Sequence, residues 1–151
     1  MRVVRWTLLV TAGVLLVIQV VPYGRNHSNP RVTAEAPWAS PEARQLAVRA
    51  CYDCHSNETN WRWYSRIAPV SWYVSNHVED GRRALNFSEW DRPQPEGREL
   101  AGSLGEGSMP PRSYLMLHPS AQLSSSEKAK LAAALHDLVP TSSDGGRRGQ
   151  D

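Results

Sequence analysis

The run Cys51-Tyr52-Asp53-Cys54-His55 constrains this chain more than any other feature in it. It reads C-x-x-C-H, the attachment pattern of a c-type haem. Two thiols three positions apart on one helical turn can form thioethers with the two vinyl groups along one porphyrin edge. The next residue, His55, is then held under the iron as its proximal ligand. The covalent bonds keep the cofactor on a protein too small to retain it by burial alone. Two other readings compete. A thioredoxin-like dithiol usually sits beside a βαβ pattern, and none is visible. A structural zinc site needs four ligands, and beyond this pair there are only His27, His77, His118 and His136, at scattered positions.

The 151 residues suffice for one small domain with an anchor and a tail. Both cysteines belong to the motif, so no disulfide framework is available. The formal net charge of +2 argues against a nucleic-acid partner, which would call for a clustered basic face. Six Trp and five Tyr accompany a single Phe, and all but one of the Trp lie beyond the N-terminal segment. These flat side chains suit either a porphyrin face or an ordinary aromatic core.

Arg2 and Arg5 precede an apolar run from Trp6 to Val21, broken only by Thr7, Thr11 and Gln19. A charged start before an apolar core is an export signal. The run is short beside the roughly 20 residues of a transmembrane helix, and flanking residues extend it to a marginal span. No small-x-small cleavage site follows directly; Ala34-Glu35-Ala36 has the form but lies far downstream. Residues 1–23 therefore read as an uncleaved signal anchor in a bacterial inner membrane, with a cleaved peptide as the alternative. The early arginines place the N-terminus in the cytoplasm and the remainder in the periplasm or outside the cell. Haem c is attached outside the bacterial cytoplasm, so the two signals agree.

Residues 24–39 are polar, carry Pro30 and Pro37, and read as a linker. Residues 40–139 read as the haem domain. Ser40-Pro41 is a helix start, with Ala43, Leu46, Ala47 and Ala50 as its apolar stripe, and this helix delivers Cys51. Ser56 to Pro69 reads as an irregular aromatic loop. The spacing of Val70, Val74, His77, Val78, Gly81 and Leu85 predicts a second helix over 70–85. Asn86 is a candidate cap, a short helical stretch runs to Leu104, and Gly105 to Pro111 is a loop. Ser124-x-x-Glu127 is a capping box opening a helix with Leu131, Leu135, Leu138 and Val139 on its buried face, ended by Pro140. Residues 140–151 form a polar tail expected to be disordered. The fold class is mainly α, in the order of a small class I cytochrome c behind an N-terminal signal-anchor helix.

A low-spin carrier needs a second strong ligand. Met109 precedes Pro110-Pro111 in a Gly-containing loop, where proline can hold a thioether rigidly at the iron. His77, on the apolar face of the second helix, is the alternative ligand; it also suits a core histidine or a haem propionate partner. Met116, His118, His27 and His136 rank behind them. A thioether ligand raises the redox potential relative to imidazole. His55 itself needs an acceptor for its outer ring N–H, and the carbonyl of Pro69 is the candidate. Arg62, Arg66, Arg82 and Arg83 are candidate propionate partners, or solvated surface.

Taken together, Cys51 to Asn57, Trp61, Trp63-Tyr64, Pro69 to Trp72, His77-Val78, Gly81-Arg82, Leu85 to Ser88, Trp90, Met109-Pro110, Tyr114 and His118-Pro119 resemble the bacterial haem-binding domain family. Gln19, Pro22, Asn29 and Pro30 resemble the way its members leave their anchor. The resemblance spans about Pro30 to Val139. It implies one c-type haem outside the cytoplasm on a short, often membrane-anchored protein, and no defined redox partner.

The expectation is a membrane-tethered single-haem electron carrier, with Cys51 and Cys54 binding the haem, His55 and Met109 ligating its iron, and an unknown redox partner protein. No catalytic constellation is evident, so the chain reads as a carrier rather than an enzyme. The alternatives are a haem-based sensor or small-ligand binder, with an open or displaceable sixth site, and a peroxidase-like accessory using His77 as its acid–base group.

Overall fold

Ser40 and Pro41 start the helix that leads into the motif. In the computed structural model, which describes residues 1–138, Ser40 is extended and its Oγ accepts the Ala43 N–H at 3.1 Å. Pro41 occupies the first helical position, where no N–H is needed. After α1 (Arg2–Ile18), this helix is α2 (Pro41–Ala50). It buries Ala43, Leu46, Ala47 and Ala50, the stripe read from the sequence. Ser40→Ala is expected to lower unfolding stability by about 1 kcal/mol, measured by urea titration. The helix breaks at Cys51 and resumes for one turn as α3 (Tyr52–His55).

The remaining helices are α4 (Val70–Ala84), α5 (Gly97–Gly105), α6 (Arg112–Leu117) and α7 (Ser125–Leu138), with 3-10 turns at Trp63–Arg66 and Pro119–Ala121. Only one isolated bridge, Ala34 to Glu89, occurs among the described residues. The mainly α expectation is met. Leu46, Ala47 and Ala50 of α2 join Leu104 of α5, Leu131, Leu135 and Leu138 of α7, and Phe87 in one buried cluster. Trp38 and Trp90 pack against it.

The capping box forms as its residues require. The Ser124 N–H donates to Glu127 Oε2 at 2.8 Å, and the Glu127 N–H donates to Ser124 Oγ at 3.3 Å. These Ser124 bonds and the Arg49 guanidinium at 2.6 Å pull the Glu127 carboxyl down from 4.5 to about 2. A depressed carboxylate contributes stability that is present above its unfolded value and lost as pH falls through its folded one. Glu127→Gln is therefore expected to be less stable than the parent at neutral pH and equal to it below about pH 2. Denaturant titrations at the two pH values check this. Val139, Pro140 and residues 141–151 lie outside the described residues.

The second expected helix is α4, ending one residue earlier than read. Its buried face is the expected one only in part, with Val78, Gly81 and Leu85 buried as read. Ser71, Ser75, Val78 and Gly81 are buried along it, while Val70 is 40% exposed. Small residues win because neighbouring backbone comes close. A Cβ on Gly81 would press into the Cys54 carbonyl, with the carbonyl carbon 3.0 Å and Cys54 Cβ 3.1 Å away. Asn86, expected as a cap, instead lies fully buried. Its side chain accepts the Ser88 N–H and donates to Asn57 Oδ1, each at 2.9 Å. With Phe87 N–H to His55 O at 2.8 Å and Asn57 N–H to Ser88 Oγ at 3.0 Å, these bonds lock the residues after the motif to 86–88. The short α6 escaped the sequence because six residues carry no period.

The segment read as a linker runs extended over the domain and is bonded to it. His27 stacks on Trp61 at 4.5 Å and bonds the Ser65 carbonyl. Asn29 donates to Thr59 O, and the Thr33 and Ala36 N–H groups donate to Ser88 O and Phe87 O. Helix α1 has 17 residues, none buried. Among the described residues no helix is long and apolar enough to cross a membrane, so the expected spanning anchor is not found; the shorter α1 stands in its place.

Candidate functional site

Helix α3 packs on α4, and this contact sets the imidazole of the motif. His55 Nδ1 lies 3.0 Å from the Gly81 carbonyl and 3.3 Å from that of Leu85. With Nδ1–H donated there, Nε2 keeps its lone pair for a metal. Burial lowers the His55 pKa, against the two carbonyl bonds, so the neutral ligating form is favoured. This corrects the Pro69 expectation. The Pro69 carbonyl is taken by the Trp72 and Tyr73 N–H groups as α4 begins, whereas Gly81, lacking a side chain, brings its own carbonyl to the ring.

Cys51, Cys54 and His55 line one cavity of about 430 Å³, within the roughly 300–1,000 Å³ of pockets that hold cofactors. Gly81, Leu85, Phe87, Leu100, Leu104 and Leu135 give it apolar walls. His77 and Met109 both reach it, Met109 with Pro110 and Pro111. The Met109–Pro110 peptide is cis. His77 sits one turn before Gly81, and its Nδ1 bonds the Tyr73 carbonyl at 2.9 Å. Met109 comes from the separate connection between α5 and α6 and is 44% exposed.

The thiols are unpaired. Burial pushes the Cys51 thiol up to about 12 and the Cys54 thiol up to about 11. Redox-active dithiols run the other way, with one thiol lowered. No group of three or more His, Cys, Asp or Glu among the described residues is placed to hold a metal ion, so the zinc alternative finds no ligand set.

Residues 13–137 match the family described as a haem-binding domain. The chain belongs to that family. No curated protein and no solved structure matches it. The haem-binding domain thus has a pocket whose residues fit its cofactor: apolar walls, two thiols and an imidazole whose Nδ1 is committed elsewhere.

Several expected contributors stand elsewhere. No Trp lines the cavity; its aromatic residues are Phe87 and Tyr114. Trp38 and Trp90 pack on Phe87 instead, and Leu100 and Leu104 of α5 with Leu135 of α7 wall the cavity. Met116 is 81% exposed and outside the cavity. His118 is buried, stacked on Tyr114 at 3.9 Å and bonded to Tyr64 Oη at 2.9 Å. His136 pairs with Asp137. Of the four arginines none lines the cavity. Arg82 is consumed by Ser56 O, Asn29 and Thr59, which ties the N-terminal strap to the domain.

The sequence reading missed what holds the motif in place. Asp53, between the cysteines, accepts the Tyr114 hydroxyl at 2.8 Å and the Asn60 N–H at 3.0 Å. Burial and the Asp53 charge raise the Tyr114 pKa, so the phenol remains a donor. The acceptors of the His55 proton are backbone and leave no side-chain trace, although a glycine inside a helix already marks close approach.

Proposed function

We propose that this haem-binding domain carries one covalent haem c and passes single electrons on the outer side of a bacterial inner membrane, tethered there by α1. The observation that carries the reading is His55. Its Nδ1 is committed to two carbonyls, and His55 lines the cavity shared with both cysteines. Cys51 and Cys54 hold the porphyrin by thioethers and His55 ligates the iron. Bound haem supplies reversible ferric–ferrous exchange. The order of α2, the motif and a final capped helix supports a class I cytochrome c-like arrangement.

Met109 is the second iron ligand in this reading. His77 stands on α4, the helix that already holds His55, whereas Met109 comes from a different wall. The exposure of α1 along its whole length, with Arg2 and Arg5 at its start, supports the tether.

One observation favours a second reading, a haem-based ligand binder. Met109 is 44% exposed on a connection where Gly107 has φ +73°, so its thioether is displaceable. Carbon monoxide titration of the ferrous protein separates the two. An electron carrier stays six-coordinate and low-spin without binding the gas; stoichiometric binding by the parent protein overturns the carrier reading.

A further inference from the structure

The haem domain carries an exposed apolar rim where it meets α1. Gln19, one residue past that helix, clasps the backbone of Ala68. Its Nε2 donates to the Ala68 carbonyl at 2.9 Å, and the Ala68 N–H donates to its Oε1 at 3.0 Å. Gly24 seals the same join. A Cβ there would lie 2.6 Å from the Ser71 carbonyl oxygen, and its φ of +71° suits glycine. The end of α1 is therefore fixed against the domain at residues 68–72.

Around that join the domain is unusually apolar at its surface. Ile67 and Val70 flank the clasped residue and are half-exposed. Trp63 is 75% exposed and Leu117 is 61% exposed. Tyr73 bonds Ser113 across to α6, and Val70, Tyr73 and Leu117 wall one hollow. Val70, Tyr73 and Leu117 thus share one face, and Trp63 and Ile67 lie on the segment that leads into it. Arg25, Arg62 and Arg66 are exposed close by in the chain and pair with no carboxylate among the described residues. Aromatic rings with long cations are what a lipid headgroup layer accommodates.

The length of α1 decides the occupant. Seventeen residues rise about 25 Å, short of the roughly 30 Å hydrocarbon core of a bilayer. So short a span is accommodated by thinning of the bilayer or by flanking residues that reach its interface, and what flanks it here is this rim. We propose that Trp63, Ile67, Val70, Tyr73 and Leu117 embed in the outer headgroup layer of the membrane, so that the domain docks in one orientation rather than swinging on a linker. This rests on the tether reading above. The extended, bonded course of residues 24–39 agrees with it, because a free domain has no use for a strap.

Photo-crosslinking tests it on the full-length holo-protein in vesicles of zwitterionic and anionic phospholipid. Benzoylphenylalanine is placed singly at position 6 in α1, at 63 in the rim and at 128 on α7, all exposed. Lipid adducts are quantified by mass spectrometry. Adducts at 6 and at 63, with the yield at 63 several-fold above that at 128, are the expected result. Adducts at 6 without an excess at 63 over 128 leave the tether standing and overturn the docking. Protein–protein adducts at 63 in place of lipid ones overturn it in favour of a second copy of the chain. No adduct at 6 removes the tether, and the docking falls with it. Ile67→Glu with Val70→Glu, both surface changes, should cut the yield at 63 several-fold while the haem spectrum is unchanged; an unchanged yield contradicts the proposal.

Discussion

Alanine in place of Gly81 is expected to destabilise the protein by about 1–3 kcal/mol and to cost most of its haem. The direction is diagnostic. Inside an exposed helix, Gly→Ala ordinarily stabilises by about 1 kcal/mol. Here the added methyl would enter the Cys54 carbonyl, with Cys54 Cβ 3.1 Å away. Neither wall can give cheaply, because one is α4 and the other is the motif itself. Pushing them apart also lengthens the 3.0 Å contact between His55 Nδ1 and the Gly81 carbonyl, so the imidazole loses the bond that sets its tautomer and direction. Denaturant titration and haem content per polypeptide measure the two effects. A Gly81→Ala protein as stable and as fully loaded as its parent would refute the close packing of α3 on α4.

Alanine in place of Met109 is expected to convert a six-coordinate low-spin haem into one with an open site. The ferrous protein then binds carbon monoxide stoichiometrically, and the reduction potential falls because the thioether that favours ferrous iron is gone. Met109 is partly exposed and outside the buried cluster, so its removal leaves the core intact. His77→Ala is the matched control. Its imidazole stacks on Tyr73 at 4.0 Å and bonds the Tyr73 carbonyl, and its loss should leave the ferrous protein low-spin. Visible absorption spectra and redox titration of both variants read the outcome. If His77→Ala opens the site and Met109→Ala does not, the ligand assignment reverses.

Much of this domain was legible in the order of its residues, for identifiable reasons. Ser40-Pro41 and Ser124-x-x-Glu127 determine their helix starts through local hydrogen bonds, which need no tertiary context. Leu131, Leu135 and Leu138 follow a helical period and are buried as that period requires. The C-x-x-C-H run states its chemistry within five residues, and haem binding is what the family match supports. What stayed hidden depends on who faces whom. The α4 face was only partly read, because beside Val78 and Gly81 its buried side takes Ser71 and Ser75, which pack by smallness rather than hydrophobicity. The acceptor of the His55 proton is main chain, so no side-chain pattern points to it. Composition counts six Trp but cannot choose between haem pocket and core; Trp38 and Trp90 take the core, and the cavity takes Phe87 and Tyr114.

The central claim, a covalent haem held by Cys51 and Cys54 with His55 at the iron, is tested most directly by denaturing the protein made with the haem c attachment machinery. The pyridine haemochrome spectrum is then recorded on the polypeptide after organic extraction. Haem that stays with the chain, with the spectrum of two saturated vinyl groups, is the predicted result, and Cys51→Ala with Cys54→Ala should release it. Haem extracted quantitatively from the parent chain, or a protein without a Soret band, would contradict the account.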